Sequence, residues 1–319
     1  MMNKVLRTLP LLLAVSLPAA AFSFWGAVDF EVGDEPFTEA ALQRGVKATT
    51  EQCAAVPNAV WVKLDGAGEC LRYWAAGFPA DGSRVGTAVV FFGGDLLNGN
   101  AVLSSSYLKQ RPSQVQDGVD RAARLHGVPY VFLARPGTFG SSGAHKQRRR
   151  TVESRLVSGA LDAVKSRFSV GDWALAGQSG GGHVVAALLT LRSDTVCAVL
   201  TSAVSSPRLR YERKGLLTDT TGYADSYEPV GLIQKSVLHA DLRVFVLGDP
   251  QDSNTPFDTQ LPLAEAVRAA GRTALSFEGE GTGRERHVLA ASGILIAAMC
   301  ARGATTEQIR TRASVGFKG

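Results

Sequence analysis

Short apolar runs alternate with segments of helical periodicity along most of the 319-residue chain, and this alternation limits the possible folds. A run of about four to eight apolar residues is typical of a buried strand, and apolar residues recurring every three to four positions are typical of a helix. The predicted strands are residues 59–64, 69–76, 87–94, 128–134, 172–177, 196–203, 242–249 and 273–279. The predicted helices are residues 112–127, 151–168, 181–192, 261–271 and 287–303. This order predicts an α/β fold with a mostly parallel central sheet and helices on both faces.

Two stretches do not follow the alternation. Residues 22–50 have weak periodicity and are interpreted as an N-terminal extension. Residues 204–241 are polar, and we expect them to form a short cap-like insertion over the carboxyl edge of the sheet. Because 45% of the residues are hydrophobic and 20% are charged, the chain can bury a real core, and we predict a single domain over residues 22–319.

The first 21 residues have the features of a secretory signal peptide. Two basic residues precede an apolar stretch that Pro10 and Pro18 interrupt, and Ala19 to Ala21 fit a cleavage site. Loss of residues 1–21 removes two positive charges and no negative ones, so the net charge falls from +5 to +3. This small charge argues against a nucleic-acid partner. We therefore predict a secreted or periplasmic protein with no membrane anchor in the mature chain.

Four cysteines follow the predicted signal peptide: Cys53, Cys70, Cys197 and Cys300. An even number in an oxidising compartment predicts two disulfides, and the spacing fits no zinc pattern. We expect Cys53 to pair with Cys70 because they are close in sequence, which leaves Cys197 to pair with Cys300. The alternative is four buried free thiols, which cores tolerate well.

The sequence "GQSGG", which begins at Gly177, lies between a predicted strand and a predicted helix. It fits the G-x-S-x-G pattern of a nucleophile elbow, in which a sharp turn exposes the serine hydroxyl at the carboxyl edge of a sheet. Small neighbours leave room for this turn, and the helix N-terminus favours developing negative charge. We interpret Ser179 as the nucleophile and the backbone N–H of Gly180 as an oxyanion donor. The alternative is a glycine-rich turn without chemistry.

A serine nucleophile needs a base, and His287 is our candidate. It lies where the loop after the last predicted strand meets the start of the last predicted helix, at the correct edge of the sheet. His183 lies in the first turns of the helix after the serine and is expected to point away from it. The other histidines are His126, His145 and His239.

An acid must orient the imidazole and stabilise its cation. Asp249 and Asp252 both follow the strand at 242–249, and Asp252 is the first choice because it lies further into the loop. Asp258 is a third candidate. The second oxyanion donor should come from the loop after the strand at 87–94, where Gly94 is the first choice and Asp95 the second.

In the segments "VVFFGGD", "ARPGTFGSSG", "GQSGGGH", "VLGDPQDSNTP" and "RERH", the chain resembles the α/β-hydrolase superfamily over about residues 55–303. The resemblance implies the α/β-hydrolase fold and a Ser179–Asp252–His287 triad in the superfamily's chain order. One departure is Phe92, which stands where a His-Gly oxyanion motif has histidine. The resemblance does not specify a substrate, because this superfamily includes esterases, lipases, thioesterases and peptidases.

The expected activity is a serine hydrolase that cleaves carboxylic esters through an acyl-enzyme. The alternatives are a serine peptidase of the prolyl-oligopeptidase type and a hydrolase fold retained for binding without catalysis. The expected partner is a small-molecule ester or a short peptide, and the chemistry requires no metal or organic cofactor.

Two further segments carry weaker expectations. Residues 135–143, "RPGTFGSSG", match neither phosphate-binding glycine pattern and are expected to form a tight loop at the rim of the site. The basic run "HKQRRR" at 145–150 lacks the interleaved aromatic residues of a nucleic-acid surface. We expect it to be a solvated entry to the next helix.

Overall fold

The fold is built around an eight-stranded sheet. The computed structural model describes residues 26–319, so the predicted signal peptide lies outside the described residues. The strands are β1 (Ala59–Leu64), β2 (Ala67–Ala76), β3 (Val85–Phe92), β4 (Tyr130–Leu133), β5 (Val170–Gln178), β6 (Thr195–Thr201), β7 (Arg243–Gly248) and β8 (Thr273–Glu278). Their order in the sheet is β1-β2-β4-β3-β5-β6-β7-β8. Strand β2 is antiparallel to both neighbours, and the other pairs are parallel. All eight strands and the mostly parallel sheet were predicted correctly.

Helices cover both faces of the sheet. They are α1 (Glu39–Arg44), α2 (Thr50–Ala54), α3 (Pro112–His126), α4 (Thr151–Arg167), α5 (Gly180–Leu191), α6 (Pro207–Arg213), α7 (Leu261–Ala269), α8 (Ala290–Ala301) and α9 (Thr306–Ser314). Helices α4, α5 and α7 contribute to one core cluster, and α3 and α8 contribute to the other. In β5, Trp173 and Leu175 belong to the first cluster, whereas Ala174 and Ala176 belong to the second. The central strands are buried on both faces, which explains why they are continuous apolar runs.

The N-terminal extension and the residues directly after it contain two helices that the sequence pattern did not predict. Helix α1 begins after Thr38, whose hydroxyl accepts a hydrogen bond from a backbone N–H, and α2 begins with a capping box of Thr49 and Gln52. Between them, Val46–Lys47 pairs in parallel with Val28–Asp29. Helices of six and five residues are too short for a clear hydrophobic period, so only their caps could have indicated them.

Two disulfides connect helices to strands. Cys53 in α2 binds Cys70 in β2 with the Cα atoms 5.5 Å apart, and Cys197 in β6 binds Cys300 in α8 with the Cα atoms 6.3 Å apart. Both pairs match the predicted connectivity, and the alternative of free thiols is wrong. The second bond connects two elements whose cysteines are 103 residues apart in sequence.

The segment 204–241 lies between β6 and β7 and contains α6, followed by short 3-10 turns at Pro229–Gly231 and Ile233–Lys235. Further 3-10 turns are formed by Tyr107–Lys109, His145–Gln147 and Phe257–Thr259. A two-residue ribbon pairs Leu97–Asn98 with Ala101–Val102. Within residues 26–319, no helix has both the length and the apolar character needed to cross a membrane.

Candidate active site

Ser179 stands at the junction of β5 and α5 in a strained backbone conformation, with φ 56° and ψ −117°. A positive φ is uncommon for a residue with a Cβ and persists only where its surroundings impose it. Here the N–H of Ser179 donates to the carbonyl of Thr201 at 2.8 Å. The carbonyl of Ser179 accepts hydrogen bonds from the N–H groups of His183 and Val204, each at 3.2 Å. These three bonds hold the sharp turn that the G-x-S-x-G pattern predicted.

The glycines around Ser179 are required by close backbone contacts. A Cβ on Gly177 would overlap the carbonyl of Gly181, and a Cβ on Gly181 would overlap the carbonyl of Phe92. A Cβ on Gly180 would overlap the carboxylate of Asp95. The spacing of the motif therefore follows from packing: β5, α5 and the loop after β3 approach each other too closely for any larger residue.

The structure brings Asp252 and His287 together. Oδ2 of Asp252 lies 2.8 Å from Nδ1 of His287, and the carboxylate is fully buried. The other oxygen, Oδ1, accepts the backbone N–H groups of Asn254 at 2.8 Å and Thr255 at 2.9 Å. Because Nδ1–H faces the carboxylate, the basic lone pair of the neutral imidazole is on Nε2. Such a pair can accept a proton from a hydroxyl and stabilise the resulting cation.

The other candidate acids have different partners. Oδ1 of Asp249 accepts the N–H of Gln251 at 2.8 Å, and Oδ2 accepts the N–H of Gly281 and Nε of Arg286, both at 2.8 Å. Burial alone would raise the pKa of Asp249, but these donors outweigh it and lower the pKa from its ordinary value. Asp258 pairs with a surface arginine 3.0 Å away. Neither carboxylate is hydrogen-bonded to His287.

Gly94 lies directly against Ser179. A Cβ on Gly94 would be 3.4 Å from Cβ of Ser179 and 3.4 Å from the carbonyl oxygen of Gln178. The predicted oxyanion donors, Gly94 and Gly180, therefore both adjoin the serine. The second-choice residue, Asp95, directs its carboxylate into a buried ion-pair network.

This network corrects the expectation for residues 145–150. His145, Arg148 and Arg149 are buried rather than solvated. Asp95 accepts hydrogen bonds from Arg148 Nε at 3.2 Å and from Arg149, and Arg149 also pairs with Asp219. Arginine is seldom fully buried unless it is paired, so these carboxylates explain why the basic run leaves the surface.

Arg135 extends the network to a second acid. Its Nη1 lies 2.8 Å from Oδ1 of Asp95, and its Nε lies 2.8 Å from Oε1 of Glu153. Burial alone would raise the pKa of Asp95, but the three neighbouring arginines hold it well below the ordinary value. Burial and the charge of Arg135 hold the pKa of His145 well below its usual range. The network thus fixes an ionised Asp95 beside Gly180.

The glycine-rich loop at 135–143 is hydrogen-bonded to β2. The hydroxyl of Ser142 accepts the N–H of Cys70 at 2.7 Å, and that of Ser141 accepts the N–H of Arg72 at 2.9 Å. The loop is therefore held to β2 by hydrogen bonds, and its first residue, Arg135, reaches Asp95 in the loop after β3.

His183 faces the insertion. Its Nε2 lies 2.8 Å from the carbonyl of Tyr227, and burial lowers its pKa to about 4. No role was predicted for Gln178, the residue between Gly177 and Ser179 in the motif, yet its side chain binds the segment that carries His287. The available signal was a polar residue directly after the apolar run 173–177, at the buried end of the strand.

Comparison with solved structures identifies the fold. Est1E from Butyrivibrio proteoclasticus, solved with ferulic acid bound, is 14% identical with a TM-score of 0.50, and the match covers 79% of this chain and all (100%) of that one. Prolyl oligopeptidase B from Galerina marginata is 12% identical with a TM-score of 0.51, and the match covers 77% of this chain. This chain has the α/β-hydrolase fold. The predicted fold class is therefore confirmed.

A third solved structure, the acylaminoacyl peptidase of Pyrococcus horikoshii, is 10% identical with a TM-score of 0.50, and the match covers 76% of this chain. This chain spans 39% of that peptidase and 36% of the prolyl oligopeptidase. No protein-family model and no curated protein matches the sequence.

Proposed function

We propose that this α/β-hydrolase is a serine hydrolase that cleaves carboxylic esters, with Ser179 as nucleophile, His287 as general base and Asp252 as the orienting acid. The observation that carries the proposal is the 2.8 Å contact between Asp252 and His287. It provides an oriented imidazole in a fold whose strand–turn–helix junction holds a serine at positive φ. An oriented base of this kind is what a weakly acidic hydroxyl requires to become a nucleophile.

In the proposed reaction, Nε2 of His287 accepts the hydroxyl proton as Oγ of Ser179 attacks the ester carbonyl carbon. The N–H groups of Gly180 and Gly94 stabilise the oxyanion of the tetrahedral intermediate, each contributing roughly 3 kcal/mol. His287 then gives the proton to the leaving alcohol, and the acyl-enzyme forms. Water repeats the sequence and releases the acid. Only a neutral imidazole can accept this proton.

Esters are favoured over amides because an alcohol leaves more readily than an amine. The structure of Est1E contains ferulic acid, and the match covers the whole length of Est1E. The two peptidases are much longer than the region they share with this chain. Peptide cleavage is therefore the second outcome of the test below.

The test combines covalent labelling with a substrate screen. A fluorophosphonate probe should label Ser179, and p-nitrophenyl esters of graded acyl length should be cleaved. Ser179→Ala should abolish both, and the control Ser105→Ala, at an exposed serine, should retain both. Full activity in Ser179→Ala would refute the mechanism. Cleavage of peptides far better than any ester would refute the proposed substrate class. If the wild-type protein is neither labelled nor active, a binding protein without catalysis is favoured.

The insertion at 204–241 is proposed to act as a cap that shapes the substrate pocket. Its Asp219 pairs with Arg149 of the buried network, and Nη2 of its Arg210 lies 2.6 Å from Oδ1 of Asn254, two residues after Asp252. Through these contacts the insertion adjoins both the loop after β3, which carries Asp95, and the loop after β7, which carries Asp252. Variation within the insertion should therefore change KM among ester substrates more than it changes the chemical step.

We further propose that the chain is exported to the periplasm or the exterior. The two disulfides support an oxidising compartment. Expression of the full chain in a bacterium followed by fractionation should yield a mature protein that begins at Phe22 and gives two disulfide-linked peptide pairs under non-reducing conditions. A cytoplasmic protein that retains Met1 and four free thiols would contradict this.

A further inference from the structure

The side chain of Gln178, the residue directly before Ser179, binds the backbone at His287 and at Leu289. Its Nε2 donates to the carbonyl oxygen of His287 at 2.8 Å. Its Oε1 accepts the N–H of Leu289, two residues later, at 3.0 Å. One amide group therefore spans the short segment that presents the imidazole.

Neighbouring groups determine the orientation of this amide. A backbone carbonyl can only accept and a backbone N–H can only donate, so His287 and Leu289 together decide which end is oxygen and which is nitrogen. The hydroxyl of Thr201, the partner of Gln178 across β5 and β6, donates to the same Oε1 at 2.9 Å. Gln178 is only 7% exposed, so water competes weakly for these bonds.

The segment before His287 depends on such anchors because it is a surface loop. Residues 282–285 are exposed or partly exposed. Within the loop, the N–H of His287 donates to the carbonyl of Thr282 at 3.1 Å, which closes a turn but does not attach it to the sheet. Gln178 supplies an attachment to the sheet, at the position where β5 ends and Ser179 begins.

We propose that Gln178 is a positioning residue that sets the distance and angle between His287 and Ser179. Gln178 is covalently joined to the nucleophile and hydrogen-bonded to the base segment, so it transmits the position of β5 directly to the imidazole. The proposal rests on the function proposed above. A displacement of about 1 Å between reacting groups can cost roughly 100-fold in rate. The hydrogen bonds of Gln178 to the His287 segment should therefore affect the chemical step rather than substrate binding.

Two substitutions separate positioning from a general contribution to stability. Gln178→Met keeps the length and removes all three hydrogen bonds. Gln178→Glu keeps an acceptor for Leu289 but replaces the donor to the carbonyl oxygen of His287 with a second acceptor, so that hydrogen bond is lost. It also adds a negative charge next to the His287 segment, which favours the protonated imidazole. The matched control is Gln116→Met in α3, which removes a glutamine amide that binds the carbonyl of Ala75 at 3.2 Å.

The measurements are kcat per fluorophosphonate-labelled site, KM, the pH dependence of kcat/KM, and hydrogen–deuterium exchange of residues 282–290. We expect Gln178→Met to lower kcat about 10- to 100-fold with KM within about twofold. The N–H of Leu289 should exchange at least about tenfold faster once its acceptor is lost. Gln178→Glu should move the acid limb of the profile to higher pH, and Gln116→Met should match the wild type in all three.

Unchanged kcat per labelled site in Gln178→Met would overturn the proposal, even if exchange became faster, because the role would then be structural only. Unchanged exchange at Leu289 would also overturn it. If Gln178→Met does not fold, Gln178→Glu decides the matter: an unshifted acid limb with wild-type kcat overturns the proposal. Wild-type protein without labelling or ester cleavage would refute the proposed function itself, which these variants do not address.

Discussion

The carboxylate of Asp249 binds the guanidinium of Arg286, with Nε 2.8 Å from Oδ2, while Asp252 binds the next residue along the chain, His287. Two carboxylates from one loop thus hold two consecutive residues of another. Both are buried, and both follow β7 within four residues. The two carboxylates differ in their partners. The same substitution at Asp249 and at Asp252 can therefore separate the orientation of His287 from the support of the loop that carries it.

We predict that Asp252→Asn lowers kcat by about 10³- to 10⁴-fold, because an amide cannot hold the imidazole in the correct tautomer or stabilise its cation. Asp249→Asn should leave kcat within about tenfold and instead lower the free energy of unfolding by roughly 1–3 kcal/mol, since it weakens buried hydrogen bonds. Steady-state kinetics and urea denaturation of the two variants test this. The reverse pattern would assign the orienting role to Asp249.

A second prediction concerns Asp95, whose carboxylate contacts three buried guanidinium groups. Asp95→Asn should lower the free energy of unfolding by roughly 3–5 kcal/mol, because it leaves buried positive charges without a partner. The control Asp65→Asn, which breaks an exposed ion pair with Arg155, should cost less than about 1 kcal/mol. Urea denaturation at neutral pH compares the two. Equal small losses would show that the network contributes little to folding.

Asp95 should also affect how the stability of the folded protein changes at acidic pH. Because the pKa of Asp95 in the folded protein is well below its ordinary 3.8, folding favours the ionised form. This contribution is complete above about pH 4 and decreases only as the pH falls further. Acid unfolding that involves Asp95 should therefore occur below that pH.

His183 should affect stability at a higher pH. Its folded pKa is about 4, whereas the ordinary value is 6.5, so the unfolded chain binds a proton that the folded chain excludes. The stabilisation is complete above pH 6.5 and is lost as the pH falls towards 4. His183→Gln, which can still donate to Tyr227, should reduce the slope of unfolding free energy against pH in this window by about 1.4 kcal/mol per pH unit. Denaturation curves at several pH values measure the slope, and an unchanged slope would contradict the prediction.

The strands and the positions of the main site residues could be predicted because both depend on local patterns. A strand buried on both faces must be apolar throughout, as in "AVVFF" and "WALA", and a serine between glycines at a strand end has few structural alternatives. Asp252 and His287 were placed by the rule that loops at the carboxyl edge of a parallel sheet converge. Their contact is observed, and their catalytic roles remain predictions.

The buried network could not be predicted because its partners are distant in sequence. Arg149 pairs with Asp95 and Asp219, which lie 54 and 70 positions away. A run of arginines is most often solvated, and nothing near the run indicates the acids that bury it. The role of Gln178 was missed for the same reason, since its partners lie 109 and 111 positions away.

A final prediction concerns Phe317, which supports the beginning of the loop that leads to His287. Its side chain is 1% exposed and packs against Phe277 with the ring centroids 5.9 Å apart. Its carbonyl accepts the N–H of Glu280 at 2.9 Å, so the chain after α9 is attached directly to that loop.

Phe317→Ala should lower the free energy of unfolding by roughly 3–5 kcal/mol through the cavity it leaves. It should also accelerate hydrogen–deuterium exchange across residues 280–288, because the Glu280 contact loosens with the lost packing. The control Val315→Ala, at a residue that is 76% exposed, should change stability by less than about 0.5 kcal/mol. If Phe317→Ala loses stability while exchange in residues 280–288 stays at the wild-type rate, Phe317 contributes to the core alone. Faster exchange confined to that loop, with a matching fall in kcat, would show that the packing of Phe317 supports the position of His287.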